Sequence, residues 1–288
     1  MNAVESWSSI GPDLSRSARS RLSFKRDPSG QTYIAGQRTE YPFHMTRPFR
    51  LPSDPEGMLT LYLQSSAGGL YRGDRLTLDV DVEEKAALHL TTQAGTVVHH
   101  TREGEANQTT NIRVGVDAFC EYLPDPLILF SGARLITRTH AIVEPGATLL
   151  LTDAFTTHDP GGDQVPFSSL NNELKLESSN GELLAVDRFE ISGAAFTSGN
   201  SALQGGQLSQ GTVLLVTPGD LDPVITKLRQ SLNSTPGIYA GVSMLQGNNG
   251  LWCRFLADDA VALGAALKNA WSTIRSELTG IPPVERRK

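Results

Sequence analysis

The 288-residue chain reads as a mainly β protein, with coiled or stacked β-strand layers in a β-helix-like winding and two C-terminal helices. Three observations predict this. Apolar and polar residues alternate over much of the stretch from 21 to 217, the period of a half-buried strand. Similar strand–turn–strand segments recur at intervals of about 30 residues, as stacked layers require. Beyond residue 218 the apolar spacing turns helical twice, on either side of a hairpin-like stretch.

Taken in order, residues 1–20 are rich in Ser and Arg, carry no apolar run of signal-peptide length, and predict a flexible leader. The β-rich body runs from 21 to 217. Its clearest strand is "RLTLDVDVE" (75–83), with Leu76, Leu78, Val80 and Val82 on one face and Thr77, Asp79, Asp81 and Glu83 on the other. Turns fall at "AGG" (67–69), "RGD" (72–74), "PDP" (124–126), "EPG" (144–146) and "DPGGD" (159–163). The repeat shows when "VEEKAALHLTTQ" from 82, "VGVDAFCEYLPD" from 114 and "VEPGATLLLTDA" from 143 are aligned. Each has Val first, Ala fifth, and apolar residues seventh and ninth. Residues 218–280 predict a helix–hairpin–helix segment packed on the body. Its first helix covers 220–234, with Asp222 as N-cap and Pro223 in the first helical position. The hairpin closes at Asn248-Asn249-Gly250. The second helix covers 258–280, with Leu263, Leu267, Ile274 and Leu278 on its apolar stripe and Gly280 as its stop. Residues 281–288 form a tail.

The same residues exclude several functions. A net charge of −6 argues against a nucleic-acid binder. No stretch is long and apolar enough for a membrane helix, so a soluble cytoplasmic protein is expected. Cys120 and Cys253 are two isolated thiols; Cys120 holds the repeat position that Leu88 and Leu149 hold, and both read as packing groups. His99 and His100 end the strand-like "LTTQAGTVVHH"; neighbours on a strand point to opposite faces, so they should not share a metal ion. There is no P-loop, and "GVSML" around Ser243 lacks the second glycine of a nucleophile elbow. Asp153, Asp159 and Asp163 could meet at a loop, as in a β-helical hydrolase or lyase acting on an acidic carbohydrate. That enzyme would need basic residues beside its carboxylates, and 139–174 contains no Lys or Arg. The residues alone therefore describe a scaffold rather than an enzyme, with the carbohydrate enzyme as the alternative.

Five strings carry a resemblance: "LQSSAGGLYRGDRLTLDV" (63–80), "LTTQAGTVVHH" (90–100), "EYLPDPLILFSGARL" (121–135), "LLLTDAF" (149–155) and "GVSML…GLWCRFLADD…AWSTIR" (241–275). In combination and order they resemble the urease accessory protein UreD family, called UreH in some organisms. The resemblance implies a nickel-insertion chaperone that assembles with UreF and the GTPase UreG, docks on the urease apoprotein and assists Ni²⁺ delivery. GTP would be bound by the partner; this chain would need no cofactor and no tight metal site, only transient Ni²⁺. It also implies nickel passage through a water-filled interior, for which Asp74, Asp153 and Asp187 are the candidate carboxylates. Gly68, Gly69, Gly73, Gln93, Pro124 and Gly132 are the family-motif positions expected to be structural. The loop "THDPGGDQVPF" (157–167) departs from the family pattern, so no role is carried to it.

Overall fold

The computed structural model describes residues 15–200 and 206–284, and every structural statement concerns those residues. The first part comprises β1 (Ser17–Arg26), β2 (Thr32–Arg38), β3 (Phe43–Met45), β4 (Leu59–Ser65), β5 (Arg75–Val82), β6 (Ala87–Thr92), β7 (Thr96–Val98) and β8 (Ala106–Val114). Then come β9 (Phe119–Leu123), β10 (Leu127–Phe130), β11 (Arg134–Val143), β12 (Thr148–His158), β13 (Ser169–Ser178), β14 (Leu183–Ser192) and the short helix α1 (Gly193–Phe196). The last part is β15 (Ser209–Val216), α2 (Asp222–Asn233), β16 (Ile238–Met244), β17 (Gly250–Ala257) and α3 (Ala260–Thr279).

Two sheets face each other. One has the order β14-β13-β11-β8-β5-β1-β2, the other β16-β17-β15-β12-β9-β6-β4-β3, with β10 and β7 attached to the second through β12. The chain winds between them: β5, β8, β11 and β13 lie parallel in the first sheet, and β6, β9 and β12 lie parallel in the second. The sequence repeat is this winding. Val82, Val114 and Val143 stand in register in the first sheet, and Leu88, Cys120 and Leu149 in the second. The turn between the sheets is the same each time. Its fourth residue is left-handed in all three copies, at Lys85, Asp117 and Gly146 with φ of 57°, 53° and 74°. Its fifth is the buried alanine: Ala86, Ala118 or Ala147. A small side chain there lets the chain cross between the layers.

Several boundaries differ from the sequence reading. β1 begins at Ser17, inside the expected leader, because Ala18, Ser20, Leu22 and Phe24 bury one face and the strand pairs with both β2 and β5. Residues 1–14 of that leader, and 285–288 of the tail, lie outside the described residues. Asp222 is inside α2 rather than capping it: the cap position is Leu221, and Asp220 Oδ1 instead accepts from the Asp222 N–H at 3.0 Å. In the β16–β17 hairpin the left-handed residues are Gly247 and Asn248, while Gly250 has joined the strand, where a Cβ would lie 2.3 Å from the Leu215 carbonyl oxygen. α3 follows expectation: Asp259 accepts from the N–H groups of Val261 and Ala262, and Gly280 ends it with φ 70°.

α2 and α3 cover the outer face of the second sheet, burying Leu221, Val224, Ile225, Leu228, Leu263, Ala266, Ala270 and Ile274 against Val213, Leu215, Leu251, Cys253 and Phe255. A charged network is sealed into this layer. The Arg275 guanidinium, whose side chain is 1% exposed, donates from Nε to Glu121 Oε1 at 2.8 Å and from Nη1 to Asp54 Oδ1 at 2.9 Å, and its Nη2 is paired with Glu121 Oε2. Glu121 Oε2 also lies 2.5 Å from His89 Nδ1 and accepts from Trp271 Nε1 at 3.1 Å. Burial alone would raise the Glu121 pKa, but the bonds from His89 and Arg275 outweigh it and hold the carboxyl down to about 2. This network ties α3 to β6 and β9 and to the segment before β4.

Candidate functional site

Between the two sheets the apolar filling is interrupted. One cluster includes Leu78, Val80, Ile112, Ala141, Leu174, Leu149 and Leu151. Another includes Leu76, Ala106, Leu135, Leu170, Phe155 and Phe196. The strands pass from one to the other through polar residues. In the first sheet, Gln108, Thr137 and Asn172 form one row across β8, β11 and β13. The adjacent row is Thr110, Thr139, Leu174 and Asp187 across β8, β11, β13 and β14. In the second sheet, Asp153, Thr212 and Arg254 stand side by side on β12, β15 and β17.

These rows meet. The Tyr122 phenol is hydrogen-bonded with Thr110 of the opposite sheet, and burial pushes its pKa up to about 12. Asn172 Nδ2 donates to Asp153 Oδ2 at 2.6 Å and to Thr137 Oγ1 at 3.0 Å. Arg254 forms an ion pair with Asp187, joining β17 to β14 across the gap. Burial raises the pKa of Asp153 in spite of the Asn172 bond, and the charge of Asp187 adds to the rise. Burial also raises Asp187, against the pull of Arg254. Three buried polar atoms of the stratum have no hydrogen-bond partner in the protein: Gln108 Oε1, Asn172 Oδ1 and Arg254 Nε. Such atoms need water or an ion to complete them.

At one end the stratum opens into a cavity of about 730 Å³ between the sheets, lined by Gly68, Gly69, Gln93, Gly95, Gln108 and Tyr122 among others. The two glycine loops frame it closely. A Cβ on Gly69, where φ is 131°, would lie 2.3 Å from the Val97 carbonyl oxygen, and one on Gly95 would lie 2.9 Å from that of Pro126. At the other end Asp187 and Arg254 reach the edge of the sheets, with side chains 11% and 38% exposed.

The structure brings two of the three candidate carboxylates together and sets the third apart. Asp153 and Asp187 are close enough for their charges to interact. Asp74 is fully buried beside the cavity mouth, where its oxygens accept from the Arg16 backbone at 3.1 Å, Arg16 Nε at 2.9 Å and the Tyr71 N–H at 2.7 Å, besides a second guanidinium contact. The Arg16 guanidinium also donates to the Gly69 carbonyl at 2.9 Å. Asp74 thus clamps the 69–74 turn to the start of β1. Among the other motif glycines, Gly73 (φ 82°) would drive a Cβ to 2.6 Å from Ser15 Cβ, and Gly132 (φ 70°) to 2.2 Å from the His100 ring. Gln93 N donates to the Leu63 carbonyl at 2.9 Å, and the Pro124 carbonyl accepts from Thr152 Oγ1 at 3.5 Å.

His99 and His100 do different jobs. His99 Nε2 lies 2.8 Å from the Gly68 carbonyl and its ring stacks on Tyr71 at 4.3 Å, while His100 Nδ1 accepts from the Arg102 N–H at 3.0 Å. Among the described residues no three His, Cys, Asp or Glu side chains gather into a metal-holding group. Cys120 and Cys253 are fully buried free thiols, both pushed up in pKa by burial. Asp153 does not meet Asp159 and Asp163: it faces the gap between the sheets, whereas they lie on the exposed loop after β12, where Asp159 accepts from Ser131 Oγ at 2.9 Å. No helix among the described residues is long and apolar enough to cross a membrane. The sequence reading missed Asn172, Tyr122 and Arg254. An arginine alternating with Trp252 and Leu256 on an otherwise apolar strand was the available signal for the last.

The chain matches the family described as UreD urease accessory protein over residues 16–288. It is 39% identical over 280 residues to a urease accessory protein UreD 1 of Methylorubrum populi, covering 97% of this chain and 94% of that one. It is 38% identical over 289 residues to a UreD 1 of Pseudomonas syringae pv. syringae, covering 100% of both. A Bradyrhizobium UreD 3 is 38% identical over 259 residues, 90% of this chain and 91% of that one. A two-layered β winding with buried carboxylates between its layers, matched over its length to these relatives, places the chain in the UreD family of urease accessory proteins.

Proposed function

We propose that the protein is a cytoplasmic, non-catalytic nickel-insertion scaffold for urease. It links a UreF-like partner and a UreG-like GTPase to the urease apoprotein, and the polar stratum between its sheets is the route of the cation. The single observation that supports this most is the stratum itself. Folding energy favours a continuous apolar interior, since burying a polar group costs free energy unless it is paired. Here a band of Gln, Thr, Asn, Tyr and Asp crosses that interior, with three atoms that no protein group satisfies. All its donors to a metal are oxygens, which hold a divalent ion less tightly than closed sets of His or Cys ligands. A carrier must release its cargo, so weak sites suit it. Asp74 takes part through shape: it holds the turn that frames the cavity mouth.

The test is urease maturation with Asp153→Asn and Asp187→Asn together. Both changes keep side-chain size and remove charge. The expected result is a normally folded protein that assembles with its partners and yields nickel-poor urease. Full nickel loading with the double variant would refute the route.

A further inference from the structure

Arg16, Arg254 and Arg275 each lie against a buried or nearly buried carboxylate, and the last two are bound in opposite ways. Arg275 is held at every nitrogen: both Glu121 oxygens, Asp54 and the Met58 sulfur receive its donors. Arg254 has one carboxylate partner, Asp187. Its Nε is buried without an acceptor. Two aromatic rings lie against it, Trp252 at 5.3 Å and Phe189 at 5.9 Å. A guanidinium has five donors and is always charged. Held at every nitrogen, it is a structural pin. Held by one ion pair and two ring faces, it has less to lose on moving, and more than a third of its side chain is exposed.

Beside it stand the groups that suit a metal ion. Asp153 and Asp187 supply two carboxylates. Asn172 is 3% exposed, and its amide nitrogen is bonded to Asp153 while its carbonyl oxygen has no partner. A divalent cation and a guanidinium on the same carboxylate repel each other, so the ion must replace Arg254 rather than join it.

We propose that Arg254 is a tethered counter-cation. It offsets the charge of Asp187 beside Asp153 when no metal ion is there, swings off Asp187 while keeping to its aromatic neighbours when a divalent cation enters, and returns to expel the ion. The inference rests on the reading of the stratum as a cation route, and adds what keeps that route from becoming a trap.

The experiment is isothermal titration of the full-length protein with Ni²⁺. Arg254→Gln is expected to bind about tenfold tighter or more, since a unit charge a few ångströms from the site is removed. Arg254→Lys keeps the charge and is expected to bind as the parent does. The gain must vanish in the double variant Arg254→Gln with Asp187→Asn. Affinity unchanged in a folded Arg254→Gln, or a gain that survives loss of Asp187, overturns the proposal. If Arg254→Gln does not fold, the parent protein still decides. The Arg254 Nε–H resonance, assigned through Arg254→Lys, must shift on saturation with Zn²⁺, and a fixed resonance while Zn²⁺ occupies the site overturns the proposal. Failure of the route itself reads differently: the carboxylate variants then load urease fully, whatever the titrations show.

Discussion

Replacing Arg275 with Met should be the most damaging single change in the C-terminal helix, and its partner should rescue it. Methionine fills much of the same volume, so packing loss is small. What remains is Glu121, 0% exposed, and Asp54, 5% exposed, without the cation that neutralised them. Breaking a buried pair from one side costs about 3–5 kcal/mol, because a charge is left stranded in a low dielectric. For a chain of this size that corresponds to a fall in melting temperature of about 5–8 °C. Removing the stranded charge as well, with Arg275→Met and Glu121→Gln together, should recover more than half of the loss, although Glu121→Gln alone is destabilising. Thermal unfolding followed by circular dichroism at pH 7 gives all four corners of this cycle. The pH dependence gives an independent reading. Glu121 is held near 2 against an ordinary 4.5, so its stabilisation of about 3 kcal/mol is fully present above pH 4.5 and is lost as pH falls toward 2. Glu121→Gln should remove that part of the acid limb. Additive single effects, or an acid limb unchanged by Glu121→Gln, would refute the view that one coupled network pins α3.

Three further outcomes are expected. Asp74→Ala should cost about 3 kcal/mol, measured by urea unfolding, since it strands the Arg16 guanidinium and frees the 69–74 turn. Gly69→Ala should cost about 2 kcal/mol or more in the same assay, because φ is 131° and the new Cβ would meet the Val97 carbonyl. Cys120→Ser with Cys253→Ser should lose about 1–2 kcal/mol per site from burying hydroxyls, while urease maturation in a reconstitution assay proceeds as before.

The winding was legible because it repeats. A turn that crosses between two layers needs a left-handed residue and then a small one, and this constraint leaves the same letters at each pass: Val82, Val114 and Val143 before it, Ala86, Ala118 and Ala147 after it. The identity of the left-handed residue was not legible, since Lys85 and Asp117 give no sign of positive φ. Nor was the buried ion network. His89 and Glu121 occupy the eighth position of their repeat copies, where period-two logic assigns the solvent face. The third copy has Leu150 there, a sign that this face is covered. Arg275 gave the complementary sign, an arginine four residues after Trp271 on a stripe that also holds Leu263, Leu267 and Ile274. A charge on an apolar stripe needs a buried partner, and the helix does not contain one.

The site was half legible for a related reason. Short motifs mark places where the backbone is constrained, and a constrained turn has N–H groups that need an acceptor. A carboxylate inside such a motif is therefore the one best placed to serve the turn. Asp74 follows this logic: flanked by Gly73 and Arg75, it takes up the N–H groups of Tyr71 and Arg16 and has no oxygen left for an ion. Asp153 and Asp187 lie within strands, where backbone N–H groups are already spent on neighbouring strands and a side chain is free to serve something else. Their meeting depends on β12 and β14 belonging to facing sheets, which no spacing between 153 and 187 encodes. The acid that a motif makes conspicuous holds the frame, and the two acids that no turn motif marks, Asp153 and Asp187, face the gap between the sheets.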